Sequence, residues 1–257
     1  MIQDDETAEL SSPSSGKSLT PAAVVEIHSA ALDDLLHVAD DPALTEDLAL
    51  ALLKRSDLPG EVLEQLSKNG NALKLPKVKL ALASHPHAPR HVSVPLIRQF
   101  YTFDLMKVSL SPTVPADVKV AADDALIARL KTVTIGERLT LARRASGRIA
   151  GALLLDAEER VMRTALENSR LTETFVIQSV LRPEARVTLV QAVAQHGKWS
   201  LRRELRTALL RTEHLSLARA LEFSRGVPPP LLGEVLNSSR LPGKIKEQLL
   251  RENRGHQ

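Results

Sequence analysis

The run Ala81-Leu-Ala-Ser-His-Pro-His-Ala-Pro-Arg-His-Val-Ser-Val-Pro-Leu-Ile97 holds the unit on which the fold turns. An alanine- and leucine-rich segment ends in polar Ser84 and His85, an apolar Ala88 follows, and Pro89 opens a second segment. The same order returns in Leu53-Lys-Arg-Ser-Asp-Leu-Pro59, Ser109-Leu-Ser-Pro-Thr-Val-Pro115, Leu166-Glu-Asn-Ser-Arg-Leu-Thr172, Leu210-Arg-Thr-Glu-His-Leu-Ser216 and Leu236-Asn-Ser-Ser-Arg-Leu-Pro242. Two variant copies, Ala142-Arg-Arg-Ala-Ser-Gly147 and Ala194-Gln-His-Gly-Lys-Trp-Ser200, fill the gaps. The punctuation recurs mostly every 25 to 32 residues from Pro59 to Pro242, with one short step of 16 between Ser200 and Ser216.

Each part of the unit has a physical reason. The apolar residue packs the corner between two helices, and Pro, Thr or Ser begins the second helix by fixing φ or by accepting an orphan amide hydrogen bond. One helix pair cannot hide its own apolar faces, whereas stacked neighbours bury them in a continuous core. Composition agrees: of 257 residues 43% are hydrophobic but only 2% aromatic, so the core is filled by Leu, Ala, Val and Ile, which suits helix on helix. The expected fold is all-α, an α-solenoid of seven or eight short helix pairs with about fourteen helices, forming one domain over residues 21–253.

Ahead of it, residues 1–20 combine early acids with Ser11-Ser-Pro-Ser-Ser-Gly-Lys-Ser18 and read as a disordered tail. Thr20-Pro21 reads as the first helix start, with Val24, Val25, Ile27, Ala31, Leu32, Leu35 and Leu36 on its apolar face. The absence of cysteine removes disulfides, thiolate metal sites and cysteine nucleophiles, and fits a reducing compartment. The first residues are acidic where a secretory signal is basic, and the longest apolar run, Ile149 to Leu155, is far short of the roughly 20 residues that span a bilayer. The expected location is the cytoplasm. The net charge of +3 hides an asymmetry: residues 1–127 hold 11 Lys and Arg against 18 Asp and Glu, and residues 128–257 hold 23 against 13. A basic half of this kind marks a surface for an acidic partner.

The repeated units resemble bacterial HEAT-like repeats and variant leucine-rich repeats, short helical repeats that stack into curved superhelices. Residues 81–97 are the nearest copy, with an alanine and leucine helix, a His-Pro corner and a second helix, and the grammar covers roughly residues 45–252. The resemblance implies a scaffold and leaves its ligand open. Some variant leucine-rich members carry a cysteine-ligated iron–sulfur segment, and a chain without cysteine does not share that function.

The densest cationic feature is Arg143, Arg144, Ser146, Gly147 and Arg148, where one helix ends and another starts; three guanidinium groups and helix-start amides there could converge on a phosphate. The same residues serve structure equally well, small side chains allowing close helix approach and arginines complementing a helix C-terminus. Arg-Arg-Ala-Ser also resembles a basophilic kinase site. A second cluster is Lys198, Trp199, Arg202, Arg203 and Arg206, with Leu201, Leu205 and Leu209 as the expected buried stripe and Trp199 at a corner position whose default role is packing. With Arg160, Arg163 and Arg170 these positions would form a phosphate track if they share one surface, although Glu158, Glu159, Glu167 and Glu204 interleave and pair with arginines equally well. His85, His87 and His91 are close in sequence, but Pro86 and Pro89 break any helical spacing and no carboxylate lies in the segment, so no metal site is expected. Asp33-Asp34, Asp40-Asp41 and Asp123-Asp124 are paired acids; Asp41 before Pro42 reads as an N-cap.

No nucleophile elbow, phosphate loop, dinucleotide fingerprint or His-Glu-x-x-His helix occurs. The expected function is a non-catalytic scaffold or adaptor that binds a macromolecule on its curved surface, a protein before a nucleic acid, without cofactor, metal or small-molecule ligand. The alternative is phosphate-backbone binding by the basic C-terminal half. An enzyme of HEAT-like build acting on nucleic acid ranks third.

Overall fold

The computed structural model describes residues 31–254. The expected tail and the helix start at Thr20-Pro21 lie outside the described residues. Within them are sixteen α-helices, one 3-10 turn at Ala72–Lys74 and no strand, two helices more than the sequence predicted. In order they are α1 (Leu32–Asp40), α2 (Glu46–Leu53), α3 (Gly60–Lys68), α4 (Pro76–Ala83), α5 (Arg90–Ile97), α6 (Thr102–Leu110), α7 (Ala116–Arg129) and α8 (Ile135–Arg144). There follow α9 (Gly147–Leu153), α10 (Glu159–Leu166), α11 (Glu173–Leu181), α12 (Val187–Gln195), α13 (Arg203–Leu209), α14 (Leu217–Ser224), α15 (Pro229–Asn237) and α16 (Gly243–Arg254). No described helix is long and apolar enough to cross a membrane.

Contacts gather the chain into two compact units, one ending at Val92 and one starting at Ser93. In the first unit α1 packs on α3 and α2 on α4. In the second, α7, α9, α11 and α13 contact one another in succession, while α8, α10 and α12 do the same. Alternate helices therefore share a layer. The reason lies in the length of the elements: most helices have only seven to ten residues, too few to be stable alone, so each depends on the helix before and the helix after in its layer.

The corners explain how the layers keep register. Leu58, Ala88, Val114, Leu171, Trp199, Leu215 and Leu241, the apolar corner residues, are all buried. Helix starts fall into two interleaved series. One has N-caps at Pro115, Ser146, Thr172, Arg202 and Pro228, the other at Tyr101, Thr134, Glu158, Arg186 and Ser216. The short step from Ser200 to Ser216 is a change from one series to the other, since both corners of a helix pair use the same grammar.

Two prolines differ from their expected place. Pro59 and Pro115 are N-caps, one position before the first helical residue. Asp41 is not an N-cap: it closes α1, its carboxylate accepts from the Ala43 amide at 2.8 Å, and Thr45 caps α2 instead. The carboxylate gains a local turn there, and the helix waits until the apolar Leu44 has been buried.

A polar side chain in many corners reaches back to the helix end of the corner before it. Asn69 donates through Nδ2 to the carbonyls of Ala39 and Asp41, while its Oδ1 accepts from the amides of Asn71 and Ala72. Asn168 repeats this, donating to the carbonyls of Ala142 and Ala145 and accepting from the Arg170 amide. His85 donates from Nε2 to the Arg55 carbonyl at 2.7 Å and accepts at Nδ1 from the His87 amide. Ser239 donates to the Leu210 carbonyl and accepts from the Leu241 amide. These groups satisfy carbonyls that the last helical turn leaves without a partner, at buried positions where water is excluded.

Candidate functional site

The arginine corner before α9 is built by packing. Ser146 caps α9, its Oγ accepting from the Ile149 amide and donating to Asp123 Oδ2 at 2.9 Å. Asp123 also accepts from Ser109, and burial pushes its carboxyl above the ordinary carboxylate range, while the two serine hydroxyls oppose that rise. Asp124, next to it, pairs with Arg148 at 2.6 Å. Gly147 is a glycine because a β-carbon would overlap the carbonyl oxygen of Arg170. At the start of α9 the Ile149 amide thus donates to the Ser146 hydroxyl, which in turn donates to the Asp123 carboxyl.

Of the other cations, Arg143 and Arg144 are exposed at the end of α8, where they complement the helix C-terminus. Arg170 donates to the Arg144 carbonyl, which places these two corners side by side. Arg163 pairs with Glu159 one turn earlier on α10 at 2.6 Å, and Arg160 lies exposed on the same helix. Arg202 and Arg203 are exposed at the start of α13. Arg206 donates to the Ser200 carbonyl and lies 5.2 Å from the Phe223 ring centroid.

Trp199 is 2% exposed and donates from Nε1 to the Leu166 carbonyl at 3.0 Å, performing with an indole the task that Asn168 performs with an amide. Lys198 Nζ sits 4.0 Å from its ring centroid in a cation–π contact. A stacking role for Trp199 therefore has no face to use. The predicted stripe needs one correction: Leu205 and Leu209 are buried, but Leu201 is 70% exposed, because α13 begins only at Arg203 and Leu201 lies outside its periodicity.

The ring nitrogens of the three histidines meet different partners. His85 is buried as described, His87 Nδ1 is 3.1 Å from the Leu58 carbonyl, and His91 faces Glu64 at 2.6 Å. No cluster of metal-ligating side chains occurs among the described residues.

Sequence reasoning missed a cleft in the second unit. It has a volume of about 670 Å³, within the range of roughly 300–1,000 Å³ typical of ligand sites. The ends and faces of α7, α9 and α11 form it together with Arg138 of α8. Its apolar lining includes Ile127, Leu130, Leu155 and Phe175, and its charged lining is Lys131, Arg138, Arg148, Arg182 and Arg186 against Asp124 and Asp156. Arg138 pairs with Asp156 at 3.1 Å and Arg148 with Asp124, so the positive surplus rests on the other three. Only Arg148 among the predicted site residues lines it. A signal was present in the spacing: Lys131 follows α7, Arg182 follows α11 and Arg186 caps α12, so helix corners bring them together.

Compared with protein-family models, with curated proteins and with solved structures, the chain matches none.

Proposed function

We propose that this chain is a non-catalytic cytoplasmic scaffold of the HEAT-like or variant leucine-rich kind, its helix pairs stacked as an α-solenoid that binds a protein partner. The stacking reading is supported by alternate helices sharing a layer within each unit and by corner hydrogen bonds that reach back to the preceding repeat. One observation carries the choice of a protein over a nucleic acid: the basic-half residues with the most distinctive chemistry are tied into the protein itself. Trp199 is buried and hydrogen-bonded, and Arg148 and Arg163 are paired with carboxylates. A phosphate track needs cations and stacking faces presented outward.

The exposed Arg143, Arg144, Arg202 and Arg203 favour phosphate-backbone binding as the second reading. Fluorescence anisotropy with labelled single-stranded DNA, duplex DNA and structured RNA across a salt series separates the two. The scaffold reading expects weak binding, indifferent to Arg143→Glu/Arg144→Glu. Tight binding that falls steeply with salt and collapses in that folded variant would replace it with the second reading.

A further inference from the structure

The cleft of the second unit carries an inference that rests on the protein-binding reading and deepens it. We propose that it binds an acidic peptide segment of the partner, one in which apolar side chains alternate with two or three carboxylates.

The charge of the lining sets the number of carboxylates. Arg138 and Arg148 are each matched by an aspartate, whereas Lys131 and Arg182 are exposed and pair with no acid among the described residues. Arg186 is also exposed, and its Nη1 is held by the Ala157 carbonyl at 3.1 Å, a neutral acceptor that fixes the guanidinium without cancelling its charge. Three uncompensated cations around one cleft favour a polyanion. Arginine selects carboxylates well, because its planar fork donates to both carboxylate oxygens at once.

The floor selects against a bare anion and against nucleic acid. Ile127, Leu155 and Phe175 are half-buried and expose apolar surface that an apolar group would cover. Phe175 is the single aromatic lining residue, and its Cβ and Cγ lie against Gly151, where a β-carbon would come within 2.9 Å and 3.3 Å of them. The cleft thus has no row of aromatic faces on which successive bases could stack. At the nearby start of α9 a carboxyl group, that of Asp123, already receives the hydroxyl of the capping serine. A peptide with leucines between acids matches both the rim and the floor.

The test uses the full chain and three labelled probes: the hexapeptide acetyl-Leu-Asp-Leu-Glu-Leu-Asp-amide, its Asn/Gln counterpart, and mixed-sequence single-stranded DNA. Fluorescence anisotropy should show saturable binding of the acidic peptide. Binding should be at least about tenfold weaker for the neutral peptide and for Lys131→Glu/Arg182→Glu, and unchanged for Arg143→Glu/Arg144→Glu; tenfold corresponds to about 1.4 kcal/mol. Both cleft substitutions are at exposed side chains, and unchanged thermal melting by circular dichroism verifies the fold. Should the double glutamate variant melt early, Lys131→Gln/Arg182→Gln makes the same comparison. Acidic-peptide binding that survives the cleft variants but is lost in Arg143→Glu/Arg144→Glu overturns the cleft and leaves the scaffold reading standing. Equal binding of the neutral peptide, or no saturation below a Kd of about 1 mM, also overturns the cleft proposal. DNA bound more tightly than peptide and released by the cleft variants overturns the proposal and the protein-partner reading together.

Discussion

Replacing Asn168 by alanine should cost far more than deletion of one polar side chain on a helical surface. The side chain is 2% exposed and makes three hydrogen bonds, at 2.8 and 3.2 Å to the Ala142 and Ala145 carbonyls and at 2.8 Å from the Arg170 amide. A net loss of about 1 kcal/mol per bond gives a floor near 3 kcal/mol, and orphaning carbonyls that water cannot reach raises it to about 5 kcal/mol. Asn168→Asp keeps the acceptor for Arg170 but turns a negative oxygen toward two carbonyls, so it should be no milder. Urea unfolding followed by the fluorescence of Trp199, the only tryptophan, reads the second unit directly. Thr132→Ala serves as the comparison, since Thr132 donates to the Arg129 carbonyl at an exposed position of the same unit and should cost less than about 1 kcal/mol. A loss below about 1 kcal/mol for Asn168→Ala would refute the view that these side chains lock one helix corner to an earlier one.

Gly147→Ala should destabilise by about 2 kcal/mol or more in the same assay, because its methyl meets Arg170 backbone and no rotamer relieves that overlap; a neutral effect would show that the two corners are not held in contact. Acid should weaken the first unit through His85. Burial lowers its imidazole below the ordinary value, with nearby His87 adding to the effect and the Arg55 carbonyl and Asp57 opposing it. The folded state then binds fewer protons than the unfolded one, so stability present above pH about 6.5 is lost as pH falls through the depressed folded value. His85→Asn, which copies the amide of Asn69 and Asn168, should flatten this slope in melting curves between pH 7 and 5, and an unchanged slope would assign it to other groups. Trp199→Phe keeps most of the buried surface but leaves the Leu166 carbonyl without its donor, a loss of about 1–3 kcal/mol by thermal or urea unfolding. A stabilised variant would contradict the structural role of the indole nitrogen.

The parts of the fold that a linear pattern can carry were legible. Leu58, Ala88, Val114, Leu171, Leu215 and Leu241 stood out because each sits at a fixed distance before a helix start, and all are buried. The polar locks did not stand out. Their partner carbonyls lie 23 to 33 residues earlier, and Asn, His, Ser and Trp side chains all serve, so no single residue type marks the position. Leu201 was misplaced because spacing from Leu205 and Leu209 extends a helix backward past the turn at which it begins. The cleft was hidden for a related reason. The charge excess of residues 128–257 pointed to the correct half, but arginine density in sequence led to Arg143 and Arg144, whereas Lys131, Arg182 and Arg186 are brought together by the layer of α7, α9 and α11.

The corner bonds also bear on how the chain acquires its structure. Asn69, His85, Asn168, Trp199 and Ser239 each find their acceptor 23 to 33 residues upstream. Ordering a newly made helix pair therefore requires closure of short loops only, and the partner it needs has already left the ribosome. Such a chain suits vectorial folding during synthesis, each pair templating the next, with the rapid kinetics of a topology dominated by local contacts.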